Sequence, residues 1–169
     1  EKNTKGSWAK AYPTGRDLLS VLISSYTFTG ESFGKTVQAD RDLYADFLEE
    51  AAIILEKPDL ENVAARYRMA GRAWDGLRCS LLPEDVPMLK ETRFLVDVKT
   101  ELFLEKGTPA IEKMLDYGEK LDAMKVQSET DFPMTDAEIA ELRDEIRRHV
   151  LLVHDAEEEA VMALKTAMA

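Results

Sequence analysis

Apolar residues recur at spacings of three and four along most of the chain, which is the period of one face of an α-helix. The most regular stripe consists of Leu60, Val63, Tyr67, Ala70, Trp74, Leu77 and Leu81. A preceding helix, predicted to start at Val37, would bury Leu43, Phe47, Leu48, Ala51, Ile54 and Leu55. Pro58 separates the two helices because the residue before a proline is disfavoured in the α region.

Proline and glycine residues mark the limits of two further helices. Pro87 suits the first turn of one helix, which Gly107 ends, and Thr108 followed by Pro109 predicts a capped start for the next. The predicted buried faces of these two helices consist of Leu89, Leu95, Val96, Leu102 and Phe103, and of Ile111, Met114, Leu115 and Leu121.

Thr135 and Glu138 have the spacing of a capping box, in which each side chain bonds the backbone N–H of the other residue. They predict a last helix that runs to about residue 166, with a seam of Ile139, Leu142, Ile146, Val150, Val153, Ala160 and Leu164. Glu157 also lies on this seam, and a carboxylate that faces a core needs a partner. We expect Arg66 or Arg72 to be that partner. The alternative is that Glu157 contacts a ligand or acts as an acid or base.

The N-terminal part has a less regular pattern. Residues 16–24 suit a short helix or strand, residues 26–29 alternate in the manner of an extended stretch, and Gly30 and Gly34 predict a loop. We therefore predict an all-α helical bundle of four long helices plus one or two short N-terminal elements. It would form a single helical domain over residues 1–169, with residues 1–13 partly flexible and residues 25–36 forming a glycine-bearing loop.

Composition narrows the classes of function. The chain has 169 residues and a formal net charge of −11, from 22 Lys+Arg and 33 Asp+Glu. This acidic balance disfavours nucleic-acid binding, which needs a basic face. A membrane partner is not expected, because no apolar run reaches the roughly 20 residues of a membrane span. One cysteine and no visible signal peptide predict a cytoplasmic location.

Few residues form a pattern that is typical of catalysis. His149 and His154 are five positions apart, which directs them to different sides of a helix, so they predict no shared metal. Each has a carboxylate four residues away, in Glu145 and Glu158, with which it could pair. Cys79 lies near the end of the stripe over residues 60–81, and we expect it to be buried there. We predict no catalytic residue, no metal site and no cofactor.

One stretch carries a family resemblance. Residues 41–52 read Arg-Asp-Leu-Tyr-Ala-Asp-Phe-Leu-Glu-Glu-Ala-Ala, follow a glycine-bearing loop, and precede Tyr67 and the Trp-x-x-Leu element of Trp74 and Leu77. This arrangement resembles the helical C-terminal domain of the butirosin-biosynthesis protein H family. In that family a Gly-rich turn leads into an Arg-x-x-Tyr-x-x-Phe-Leu-x-Glu-Ala helix. The likeness covers residues 34–100 best and extends to a Glu-x-x-Ala pattern that starts at Glu157.

The resemblance implies a domain of unknown function that follows an N-terminal domain of the cysteine-peptidase type. The type member of the family transfers an aminoacyl group from a carrier-protein thioester to an amine of an aminoglycoside antibiotic. The catalytic Cys and His of the family lie in the N-terminal half, and no segment of this chain matches that half. The resemblance therefore implies an accessory domain, the C-terminal part of a longer acyltransferase-like protein, which packs on the catalytic domain and helps to shape the acceptor pocket.

Candidate contacts to an acceptor follow from this resemblance. They are Arg41, Tyr44 and Asp46 near the glycine-bearing loop, together with Glu157. The net negative charge would attract a cationic small-molecule acceptor. The alternative is a stand-alone, non-catalytic helical module for interaction or for homodimerisation. Such a module would contact its partner through the part of the stripe at Ala70 and Gly71 or through the last helix.

Overall fold

The computed structural model describes residues 7–32, 35–36 and 40–169, and most of these residues are helical. The α-helices are α1 (Trp8–Ala11), α2 (Gly15–Gly30), α3 (Arg41–Ile54), α4 (Asp59–Leu81), α5 (Pro87–Lys106), α6 (Ile111–Gln127) and α7 (Asp136–Met168). The predicted all-α class is confirmed. The described residues form six helices of 14 or more residues rather than the four predicted.

The N-terminal part is more helical than its sequence pattern predicts. α2 continues to Gly30, so the extended stretch over residues 26–29 and the loop over residues 25–30 are wrong. The reason is a buried face at helical spacing that includes Leu18, Leu22 and Tyr26. The Tyr26 hydroxyl donates a hydrogen bond to the Asp97 carboxylate, 2.9 Å from Oδ2. Tertiary burial of this face overrides the local alternation of aromatic and β-branched residues.

Two short strands follow α2. β1 (Glu31–Ser32) and β2 (Lys35–Thr36) pair in antiparallel fashion, with Glu31 opposite Thr36. Residues 1–6, 33–34 and 37–39 lie outside the described residues. Residues 1–6 of the segment predicted to be partly flexible (residues 1–13) and the predicted helix start at Val37 therefore fall outside the described part of the chain, while residues 8–11 of that segment form α1.

The chain divides into two compact units, each assembled from two separate stretches of sequence, where we predicted one helical domain. The first unit contains Glu1–Thr27 and Leu81–Arg143, and the second contains Phe28–Ser80 and Asp144–Ala169. Because α2, α4 and α7 each cross a boundary between the units, no linker composition marks the division in the sequence.

In the first unit, leucines of α2 and α5 form much of the buried interior. Leu18, Leu22 and Leu89 are fully buried. Gly15 starts α2 with a φ of +65°, and a Cβ atom at this position would lie 3.1 Å from the backbone oxygen of Ser128. A glycine is required here because both the backbone conformation and this close approach exclude a side chain.

In the second unit, α3, α4 and α7 share one core of small and large apolar residues. Its fully or nearly buried members are Ala45, Leu48, Ala52, Leu60, Val63, Ala64, Tyr67 and Ala160. The stripe predicted on α4 supplies several of these residues; of its other members, Ala70, Leu77 and Leu81 are also buried and Trp74 is half-buried. The prediction of a buried α4 face is therefore confirmed.

Most of the predicted helix limits are confirmed. Pro87 opens α5, and Gly107 follows its last residue with a φ of +58°. The capping box at α7 is formed, since Glu138 Oε2 accepts a hydrogen bond from the Thr135 backbone N–H at 2.7 Å. The predicted cap at Thr108 is wrong, because Thr108–Ala110 forms a 3₁₀ turn and no side chain caps α6.

Several positions that were predicted to be buried are instead exposed. On α5, α6 and α7 these are Phe103, Ile111, Leu115 and Val150. Within the part of the chain that the structure describes, none of the helices combines the length and apolar character that a membrane crossing requires.

Candidate functional site

Two of the four predicted site residues, Arg41 and Glu157, take part in one cluster within the second unit. Arg41, the first residue of α3, donates from Nε to Glu157 Oε1 on α7 at 2.6 Å. Trp74 on α4 donates from Nε1 to the same oxygen at 2.8 Å. The Glu157 and Arg41 side chains are 22% and 30% exposed. The carboxylate on the α7 seam thus links three helices through two charge-assisted hydrogen bonds.

Tyr44 lies beside this cluster against a second tyrosine. Its ring meets the Tyr67 ring edge to face, with centroids 4.6 Å apart, and stacks with Phe47 at 5.9 Å. Burial raises the pKa of Tyr67 above its ordinary value, and the charges of Tyr44 and Glu157 raise it further, while Arg41 lowers it. Tyr67 therefore stays protonated at neutral pH and acts here as a packing residue.

The predicted partners of Glu157 are wrong. Arg66 pairs instead with Glu159, at 2.9 Å, and Arg72 donates from Nη1 to the sulfur of Met69 at 3.3 Å. The sequence identified Arg41 and Glu157 as separate candidates without pairing them. Pairing depends on the rotation of α3 relative to α7, and the spacing of residues within one helix carries no information about that rotation.

Asp46, the fourth candidate, takes no part in this cluster. It lies five residues after Arg41, which places it on another side of α3. Arg68 on α4 donates to Asp46 Oδ1 at 2.8 Å and to Glu49 Oε1 at 2.9 Å. Hydrogen bonds to Asp46 and Glu49 raise the pKa of Arg68. Asp46 is therefore half of an exposed ion pair that joins α3 to α4.

The residues with nucleophilic or metal-binding chemistry are dispersed. Cys79 is exposed, so the prediction of buried packing is wrong. His149 pairs with Glu145 at 3.1 Å as the spacing allows, whereas His154 pairs with its neighbour Asp155 rather than with Glu158. Among the described residues, no group of three or more His, Cys, Asp or Glu side chains could hold a metal ion.

The feature of the second unit that departs most from expectation is the outer side of α3. Leu43, Phe47 and Ile54 were predicted to be buried, but they are 54%, 58% and 77% exposed. Their spacing of i, i+4 and i+11 places them along one line of the helix. We call this line the α3 stripe. The buried side of α3 contains Leu48, as predicted, together with Ala45 and Ala52.

The small residues considered as an alternative contact surface lie inside the chain. Ala70 is fully buried, and Gly71 is buried beside it. They are therefore not available to a partner, and the prediction of a contact surface at this part of α4 is wrong.

The first unit contains a groove of about 830 Å³ along α5 and α6. Apolar residues dominate its lining, and Lys120 lies with its ammonium 5.4 Å from the centre of the Tyr117 ring. Charged residues on its lining are Glu91, Lys120 and Asp131. The lining residues of this groove do not include the pair of an activated nucleophile and a neighbouring base that nucleophilic catalysis needs.

No protein-family model, curated protein or solved structure matches this chain.

Proposed function

We propose that this chain is a non-catalytic helical module that binds another protein domain through the α3 stripe. The observation that carries the proposal is the exposure of Leu43, Phe47 and Ile54 at helical spacing. Full burial of one such side chain contributes about 1.5–3 kcal/mol, so a partner that covers all three side chains gains free energy of association. Several large apolar side chains exposed on one side of a helix are typical of contact surfaces.

The residues expected to touch an acceptor support a binding module rather than a substrate pocket. Arg41, Asp46 and Glu157 each have an ion-pair partner inside the second unit, and Tyr44 packs against Tyr67. A cationic acceptor would compete with these internal partners. Contact with a cationic small molecule is therefore a secondary part of the proposal, supported by the net charge of −11.

The resemblance suggests which domain covers the stripe. On this proposal the partner is an N-terminal cysteine-peptidase-like acyltransferase domain of the same polypeptide, and the chain is its accessory domain in antibiotic biosynthesis. Support comes from the residues that carry the resemblance, because Arg41 and Trp74 both donate to Glu157 and Tyr44 packs against Tyr67. Such a pattern is expected if the motif specifies how α3, α4 and α7 pack.

The partner can be identified by photo-crosslinking in the native cells. A photo-crosslinking amino acid is placed at position 47 on the α3 stripe, and a matched variant carries it at position 61, an exposed glutamate of α4. We expect one defined crosslinked product from position 47 and none from position 61. Equal labelling at both positions would refute binding through α3.

The mass of the native gene product distinguishes the two forms of the proposal. A polypeptide well above the 19.1 kDa of this chain, with a region containing Cys and His upstream of Glu1, would support the accessory domain. A native product of the same mass as this chain would refute that form. It would leave a stand-alone module that binds a separate protein or a second copy of itself.

A further inference from the structure

The α3 stripe has a charged residue within its apolar line. Glu50 lies three residues after Phe47 and four before Ile54, so it shares the outward side of α3 with them. Glu50 is exposed, and among the described residues no hydrogen bond or ion pair engages it. The neighbouring Glu49 is different, because Arg68 lies 2.9 Å from its carboxylate.

Any partner that covers the stripe also removes water from Glu50. A carboxylate that loses its hydration without gaining a counter-charge opposes binding, and the cost is large in an apolar contact. A partner that buries Phe47 and Ile54 on either side of Glu50 therefore has to supply a cation at this point. The net negative charge of the chain also favours a basic partner, because it attracts positively charged proteins over longer distances.

We infer that the occupant of the α3 stripe is an amphipathic helix with a Lys or Arg side chain placed to pair with Glu50. This inference rests on the proposed function and adds the chemistry of the partner. The stripe from Leu43 to Ile54 is about 16 Å long, which matches three turns of a helix packed alongside α3. The apolar residues of the partner helix cover Leu43, Phe47 and Ile54, and its basic residue determines the register.

A second copy of the chain is a less suitable occupant. In a two-fold contact the same surface faces itself, so residues near the middle of the stripe meet their own counterparts. Glu50 lies near the middle, and the contact would therefore bring two like charges together between apolar side chains. Like charges in such a contact oppose association, and each chain already carries a net charge of −11.

The inference is tested with three synthetic helical peptides of about 18 residues, a length sufficient for partial helicity in isolation. All three have the same leucine face, and a single central position next to that face holds Lys, Gln or Glu. Binding to the full chain is measured by fluorescence anisotropy at low and high salt. We expect the Lys peptide to bind about tenfold more tightly than the Glu peptide, with the Gln peptide between them.

Charge reversal on the chain provides the matched comparison. Glu50→Lys should invert the preference so that the Glu peptide binds best, whereas Glu61→Lys, the same change at an exposed position of α4, should leave the preference as in the wild type. Circular dichroism of both variants checks that they keep the helical content of the wild type. An unchanged preference in Glu50→Lys would overturn the inference.

The remaining outcomes separate this inference from the proposed function. If all three peptides bind equally and Phe47→Gln abolishes binding, the stripe is a docking surface but the basic-helix inference is wrong. If no peptide binds, the inference is wrong, and crosslinking at position 47 still decides the proposed function. A mass in solution that doubles with concentration in the wild type but not in Phe47→Gln would identify a second copy as the occupant and also overturn the inference.

Discussion

Replacing Glu157 with alanine tests whether the cluster of Arg41, Trp74 and Glu157 holds the second unit together. One carboxylate oxygen of Glu157 accepts hydrogen bonds from Arg41 at 2.6 Å and from Trp74 at 2.8 Å. Glu157→Ala removes this acceptor from both donors while leaving the three helices their apolar contacts. The variant therefore measures the polar link between α3, α4 and α7.

The expected loss follows from the exposure of the pair. A hydrogen bond to a charged group contributes about 1.5–3 kcal/mol when it is sheltered. Because Glu157 is 22% exposed and Arg41 is 30% exposed, water screens part of this contribution. Taking the lower limit for two bonds and reducing it for screening, we expect Glu157→Ala to lower the free energy of unfolding by about 2 kcal/mol.

Glu159→Ala is the matched control. Glu159 lies on the same helix and accepts from Arg66 at 2.9 Å, but the two side chains are 66% and 57% exposed. Exposed pairs of this kind contribute about 0.5 kcal/mol. Both variants replace a glutamate by alanine within α7, so the change in helix propensity cancels. The difference between the two variants should therefore be about 1.5 kcal/mol.

Urea unfolding measures both losses. Far-ultraviolet circular dichroism follows the helices, and tryptophan fluorescence in a Trp8→Phe background follows Trp74 in the second unit. The slope of the free energy against urea has to be equal among the variants for the comparison to hold. Equal losses in Glu157→Ala and Glu159→Ala would refute the reasoning, because the cluster would then contribute no more than a surface ion pair.

Three further predictions concern local contacts. Thr135→Ala should lower the free energy of unfolding by about 1 kcal/mol through loss of the helix cap, and an unchanged urea midpoint would contradict this. Hydrogen bonds from the Thr135 backbone N–H and hydroxyl lower the pKa of Glu138. The Glu138 carboxylate should therefore stabilise the fold fully above the pKa that Glu138 has in the unfolded chain, and this contribution should disappear as the pH falls through its lower pKa in the folded chain. The difference in urea midpoint between the wild type and Glu138→Ala measures this contribution at each pH. A Cβ atom at Gly76 would lie 3.0 Å from the ring of His149. Gly76→Ala should stabilise by about 0.5–1 kcal/mol in a His149→Ala background and by less in the wild type, and a double-mutant cycle with no coupling would exclude this contact.

The sequence was sufficient to predict a helix end wherever a single residue determines the local backbone conformation or a nearby hydrogen bond. Pro87 begins α5 and Gly107 ends it, as predicted. Thr135 and Glu138 form the predicted capping box. These features depend on residues within a few positions of one another, so no tertiary information is needed to find them. The cap at Thr108 failed because the chain forms a 3₁₀ turn there before α6 begins.

The candidate site could be predicted only residue by residue. Arg41, Tyr44 and Glu157 were identified from the sequence, but the hydrogen bond between Arg41 and Glu157 joins residues 116 positions apart. Trp74 was predicted as core, and its role as the second donor to Glu157 depends on how α4 faces α7. The spacing of residues within a helix predicts which side chains share a face, and it does not predict which face meets another helix.

By itself the sequence determined the helical class, most helix limits and the buried face of α4, because these follow from a period of 3.6 residues and from proline, glycine and capping residues. Only the tertiary structure decided which side of α3 is buried. Hydrophobicity alone favours the side with Leu43, Phe47 and Ile54, whereas the structure buries Ala45 and Ala52. Small side chains allow helices to approach closely, and the core that α3 shares with α4 and α7 contains further alanines. The larger residues Leu43, Phe47 and Ile54 consequently remain at the surface.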